Sequence, residues 1–423
     1  MSRSLVLSAG MFAFGLIALP KTVATQTVPT ATLNWPNADS KTNSDDWLRL
    51  HHNEIRKMRP RVLVLNFVNG LTGDEVQKRA EAVIEAVKEA SRYHGYRDKT
   101  AESFLEYKVA KIINLTDEEP LPDDQKMEGN SSLYPRVPEW KGGNNLRYSE
   151  LFTPEFTQAM KFADPGKPGN LLGISELAAR GLIHEVWILA QEGGFGAPLP
   201  CVEMKQAYTT EDRKIANKFV QAGDGKSDEM PSIGRSLRIL YVNPNRGAGC
   251  ALEKMSRAFE EMTRSKTVPN LARYFAEFTG EDLKARYRIG MNSLADRQNG
   301  TELEYPAPNT MVYRYKGEQF AVRNYIAAAG SVRFPPNARR EFDIENKTPV
   351  LSTIENFRLR NGFEGRDKAE PWTFEKTVPY RAVAPDCVGG WMVYWRQSMP
   401  GLNTKALDDT GRPLKNWWVY LFY

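Results

Sequence analysis

Histidine and cysteine are scarce in this 423-residue sequence, with four of the first and three of the second. Three cysteines exclude a scaffold built on disulfides. An odd count allows at most one intrachain bridge among Cys201, Cys250 and Cys387, and the spacing singles out no pair. The histidines offer little to a metal. His51 and His52 are adjacent, so on a helix they point apart. His184 precedes an apolar run, and His94 stands beside Gly95 as helix-end chemistry. Also missing are a Gly-X-Ser-X-Gly elbow, a His-Glu-X-X-His pair, a Cys-X-X-Cys pair, a calcium loop, internal repeats and coiled-coil heptads. Nothing implies a cofactor.

Charge is weakly asymmetric, at +5, and the two signs are interspersed. Nucleic-acid binders gather Lys and Arg into a stripe, so nucleic acid is excluded as a partner. The densest basic run, Arg56 to Arg61, reads as a solvated linker. With 41% apolar and 11% aromatic residues the chain is neither disordered nor fibrous.

One long apolar run is present, the 15 residues from Leu5 to Leu19, after Arg3 and before Pro20, Lys21 and Thr22-Val23-Ala24. This is the pattern of a secretory signal, short of the roughly 20 residues a membrane span needs. The expectation is a signal peptide over 1–24, no membrane insertion after its removal, and a secreted protein. Residues 25–46, polar and holding Pro29 and Pro36, read as a flexible leader. Four glycosylation sequons, at Asn114, Asn130, Asn299 and Asn346, matter only in a eukaryote.

Structure is expected from Trp47. Arg61–Val68 is near-continuously apolar, as in a strand buried on both faces. Asn69–Gly73 turns the chain, and Val76, Ala80, Val83, Ile84 and Val87 then recur at helical spacing. Glu185–Ala190 and Leu237–Val242 repeat the strand pattern. The second of these leads into Asn243–Gly249 and a helix bearing Leu252, Met255, Phe259 and Met262. Strands alternating with helices predict an α/β fold with a mostly parallel sheet flanked by helices over 47–268. Residues 269–423 are expected to be an irregular, aromatic-rich portion packed on the same domain. Five of the nine tryptophans fall in its last 52 residues, where they could be core or a stacking platform for sugars.

Ligands of parallel sheets bind beyond the strands' carboxyl ends, which directs attention to Asn69–Gly73, Glu192–Glu203 and Asn243–Gly249. In the last, Gly247 and Gly249 beside a helix start either bring backbone N–H groups to an anion, with Arg246 assisting, or permit a tight turn. On the following helix Glu253, Arg257, Glu260 and Arg264 share one face, the spacing of an exposed ladder of ion pairs. Cys201 lies in a Gly/Pro-rich loop with no histidine partner for a catalytic thiol.

Several stretches resemble a family of uncharacterised secreted, mostly bacterial proteins. They are Glu185-Val186-Trp187 with Glu203; Asn243, Arg246-Gly247, Leu252-Glu253 and Glu260; Phe334-Pro335-Pro336-Asn337 with Phe342-Asp343 and Asn346; and Asn416-Trp417-Trp418-Val419-Tyr420. The resemblance implies carboxylates and histidines converging from separate segments. This chain is a divergent member. Arginine stands where the family usually has histidine at 257 and 333, and Ser398 and Gly401 flank Pro400 where further histidines are usual. Arginine neither ligates metals nor shuttles protons near neutral pH, so no metal ligand is assigned. The resulting expectation is a hydrolase-like protein acting on an extracellular glycan or other polymer, with Glu203, Glu260 and Glu253 as catalytic carboxylates. Asn243, Arg246, Gly247, Arg257, Arg333 and Asn337 are the expected substrate-binding residues. The alternative is a non-catalytic carbohydrate-binding protein of the cell surface or matrix.

Overall fold

The computed structural model describes residues 33–41, 44–119, 129–137, 145–192, 197–224, 229–297, 301–360 and 367–423. The expected signal peptide, residues 25–32 and 42–43 of the leader, the Gly193–Gly196 loop and the Asn299 sequon lie outside them. Strands are β1 (Leu33–Trp35), β2 (Ile55–Met58), β3 (Arg61–Asn66), β4 (Lys108–Asn114), β5 (Glu185–Leu189), β6 (Cys201–Tyr208), β7 (Lys214–Gln221) and β8 (Leu237–Val242). They are followed by β9 (Glu304–Ala307), β10 (Thr310–Tyr315), β11 (Glu318–Arg323), β12 (Val350–Ser352) and β13 (Glu370–Trp372). Helices are α1 (Ser44–Leu50), α2 (Gly73–Ala90), α3 (Pro154–Met160), α4 (Ile174–Ala179), α5 (Ala248–Arg264), α6 (Pro269–Thr279), α7 (Leu283–Tyr287) and α8 (Gly389–Gln397).

A six-stranded sheet in the order β4-β3-β5-β8-β6-β7 forms the centre. The expected parallel arrangement holds for β4, β3, β5 and β8. The last two strands depart from it, because β6 runs antiparallel to β8 and β7 antiparallel to β6. The reason lies in the connection. A parallel neighbour requires a crossover of a dozen or more residues, usually helical. The short stretch between β5 and β6 carries Pro198 and Pro200 and has no helix among its described residues.

Both faces of the sheet are covered. One packs aliphatic Leu63, Leu65, Val186, Ile188 and Ile239 against α3, α4 and their flanks. The other packs Val62, Val64, Trp187 and Leu240 against α2, α5, α8 and the closing segment. α2 starts where Thr72 and Glu75 cap each other's backbone N–H groups, and it buries Val76, Ala80, Val83 and Val87. Trp372, Trp391, Trp395, Trp417 and Trp418 are all buried in this second layer, so they are core and form no exposed platform. Residues Leu33–Tyr423 make one compact unit.

Two expectations about regularity need correction. Order begins before Trp47: β1 pairs with β2, Trp35 is buried, and the Asp45 carboxylate accepts from the backbone N–H and hydroxyl of Ser236. The portion after 268 holds the hairpin sheet β9–β10–β11 and the fully buried helix α8. No helix among the described residues is long and apolar enough to cross a membrane.

Candidate functional site

Strands β3, β5 and β8 end together, and side-chain amides tie their exit loops. Asn130 donates to the Gln191 carbonyl (3.1 Å) and accepts from the Gln191 N–H (2.7 Å), and Asn245 donates to Gln191 Oε1 (2.6 Å). Asn243 is a turn former here: its Oδ1 accepts from Asn245 N–H at 2.8 Å.

The N-terminus of α5 does meet an anion, and the anion belongs to the chain itself. Asp386 accepts from Gly247 N–H (2.6 Å) and Gly249 N–H (2.8 Å), which satisfies two donors that a helix start leaves open. A Cβ on Gly249 would lie 2.1 Å from the Asp386 carbonyl, so glycine is required by close approach. The Cys250–Cys387 disulfide fastens this cap, and Cys201 is free and buried. Gly247 is therefore occupied by Asp386, and of this turn the Asn245 and Arg246 side chains are exposed, Asn245 being held by Gln191. Among the described residues, the one His/Cys/Asp/Glu group close enough to hold a metal ion is Cys250, Asp386 and Cys387. Its sulfurs are bonded to each other and its carboxylate caps the helix.

Along α5 the expected exposed ladder forms only in part: Arg264 lies 3.9 Å from Glu260, which is itself buried. Arg257 reaches across to Asp224, just past β7, at 3.6 Å. Burial raises the carboxyls of both Asp224 and Glu253, against the pull of Arg257 and Arg333, with Lys254 also acting on Glu253. Lys254 lies 3.8 Å over the Tyr241 ring and 4.0 Å from Glu192, and burial brings its ammonium down to about 8. Arg333 is shared with Glu341 at 3.5 Å. Asp224, Glu253, Lys254, Arg257 and Arg333, drawn from three segments, thus form one charged cluster at the sheet's carboxyl edge, in which Asp224, Glu253 and Lys254 have shifted proton affinities.

Three expected site residues are elsewhere. Glu203 on β6 is buried on the aromatic side of the sheet, directly opposite Arg238, which is opposite Glu185 on the next strand. Arg238 pairs with Glu203 at 2.9 Å and Glu185 at 3.8 Å, so the three form a buried row across three strands. With 1% of its surface exposed, Glu203 is structural in this conformation and unavailable as a catalytic acid. Glu260 is also buried. Its Oε1 accepts from Val332 N–H at 2.8 Å, and burial pushes its carboxyl up to about 7. It therefore fastens the segment that carries Arg333. Asn337 is wholly buried, donating to the carbonyls of Asn346 and Thr348. It locks the Phe334–Thr348 loop and faces no ligand.

Asp224 and Lys254 were not singled out from the sequence. Lys254 carried a signal, being next to Glu253 on the helix that follows a strand-end loop. Asp224 had only its place between two glycines in the sequence. No protein-family model, curated protein or solved structure matches this chain.

Proposed function

We propose that the carboxyl-edge cluster is the acid–base site of a secreted, hydrolase-like protein acting on an extracellular glycan or related polymer. Asp224 and Glu253 take the roles first expected of Glu203 and Glu260. The observation that carries this reading is the pair of carboxyls raised by burial and both acted on by Arg257 and Arg333, with Arg257 3.6 Å from Asp224. A carboxyl held above its usual range keeps a proton to donate to a leaving group, while a second one activates water. The arginines, with Arg246 and Lys254, would orient the substrate by hydrogen bonds or hold an acidic substituent. Positions 257 and 333, where the resembling family usually has histidine, both face these carboxylates, which supports a common site. The Cys250–Cys387 disulfide supports an oxidising compartment and hence secretion. Burial of the C-terminal tryptophans removes the main support for binding through an aromatic platform.

The test is reducing-end release from a panel of polysaccharides by the intact chain, by Asp224→Asn and by Glu253→Gln. Each variant is expected to lose about 100-fold or more in kcat with its fold intact by circular dichroism. Full activity in both variants overturns the assignment, as does the absence of any turnover across the panel.

A further inference from the structure

A spacious groove among the described residues lies at the other end of the sheet. It has a volume of about 950 Å³ and is bounded by Thr210 and Asp212 of the β6–β7 turn, the 52–56 segment, the start of α6 and the 401–417 segment. None of the expected catalytic or substrate-binding residues lines it, although Trp417, one of the tryptophans weighed as a stacking platform, lies in its floor. Its volume falls at the upper end of the range, roughly 300–1,000 Å³, that small-ligand sites occupy.

The lining has two kinds of surface. The floor is apolar and backs onto the main core, with Leu402 and Leu414 each keeping 8% of their surface exposed and Leu271, Trp417 and Tyr420 less. The walls are charged, and all of their charged side chains except Arg56, which donates to the Asn403 amide, are held in ion pairs. Lys415 pairs with Asp212 at 2.6 Å, Arg412 with Asp408 at 3.4 Å, and Arg273 with Asp409. Amides and hydroxyls stand between these pairs. Asn270 donates to the Thr210 carbonyl and Asp212, and Asn403 accepts from Arg56 at 2.7 Å.

Such a wall offers many donors and acceptors and little net field. A cationic ligand would have to break pairs already made, and an anionic one would find only Arg56 outside them. A ligand bearing many hydroxyls, each able to donate and accept, can bridge the pairs without displacing them. A ligand that also has a face of C–H groups fits the apolar floor. We infer that this groove is a second ligand site, which binds a neutral saccharide of oligosaccharide length. The inference rests on the groove alone and does not depend on the carboxyl-edge reading.

The experiment is calorimetric titration of the full chain with maltohexaose, cellohexaose, xylohexaose and chitohexaose, at low and high ionic strength. At least one should bind, with an affinity that salt leaves unchanged, because no ion pair forms across the interface. Lys415→Ala, which removes a wall donor, should weaken binding about tenfold. Thr210→Trp, which fills the groove from its exposed rim, should abolish binding with the melting temperature retained. Asp224→Asn should leave binding unchanged, which separates this site from the carboxyl edge. The inference is overturned if none of the four binds, if Thr210→Trp binds normally, or if Asp224→Asn removes binding.

Discussion

The two edges of the central sheet carry similar residues to different ends. At the carboxyl edge, charges from α5, the turn after β7 and the Arg333 segment converge and are partly buried, so Asp224, Glu253 and Lys254 all have displaced proton affinities. At the amino edge, Lys415, Asp212, Arg273 and Asp409 are paired along an open groove. Low dielectric makes charge reactive, whereas pairing in solvent makes it a patterned but nearly neutral surface. One arrangement suits moving protons and the other suits recognising shape and hydroxyls.

The sharpest way to separate the edges is to cut the covalent tie that serves one of them. The Cys250–Cys387 bridge closes a 137-residue separation, for which chain entropy alone gives about 5 kcal/mol. The Cys250→Ser/Cys387→Ser variant should lose stability of that order in urea unfolding. Amide exchange should quicken at Gly247 and Gly249, where Asp386 caps α5, while the groove keeps its ligand. Equal loosening at both edges would dissolve the distinction.

Acid should strike the amino edge. His52 lines the groove, and Nε2 donates to the Asn416 carbonyl (2.8 Å) while Nδ1 accepts from the Tyr423 hydroxyl (2.6 Å). Burial, followed by the charge of Lys415, holds its pKa down at about 3 against the usual 6.5. The unfolded chain takes up this proton first. The stabilisation is therefore complete above pH 6.5 and is lost as pH falls toward 3, by roughly 4–5 kcal/mol. His52→Gln should flatten that acid limb, and an unchanged limb would show that His52 is not its origin.

Base should strike beside the carboxyl edge, with a smaller effect. Glu260 has its carboxyl raised from 4.5 to about 7 by burial. Here the folded state holds the proton longer, so stability is fullest below pH 4.5 and declines as pH rises through 7, by about 3 kcal/mol. Glu260→Gln keeps an acceptor for Val332 N–H and cannot ionise. Its advantage over the parent should grow between pH 5 and pH 8, and a constant difference across that range would reject the account.

The parallel half of the sheet was legible because its strands are buried on both faces and read as apolar runs, with α2 and α5 showing their own period. The β6–β7 hairpin was not. Glu203 and Lys205 break the apolar run of β6, yet both point inward, one to Arg238 and the other to the Tyr420 carbonyl. No local pattern announces a partner so distant in sequence. For the same reason α5 looked like a solvent-facing ladder, because the segment that covers Glu260 begins more than 70 residues later. Of the site, Glu253, Arg257 and Arg333 were legible through motif positions. Asp224 acquires meaning only from the arginines the fold brings to it.

The buried closing segment constrains the order in which the molecule can assemble. The Trp417–Phe422 turn and Tyr423 complete the aromatic layer, and the contact of Tyr423 with His52 spans 371 residues. Loops of that length close slowly and late. The part of the sheet face bearing Val64, Trp187 and Leu240 that residues 417–423 cover, beyond what α2, α5 and α8 cover, therefore closes only after those residues are made, and until then that apolar surface is open to self-association.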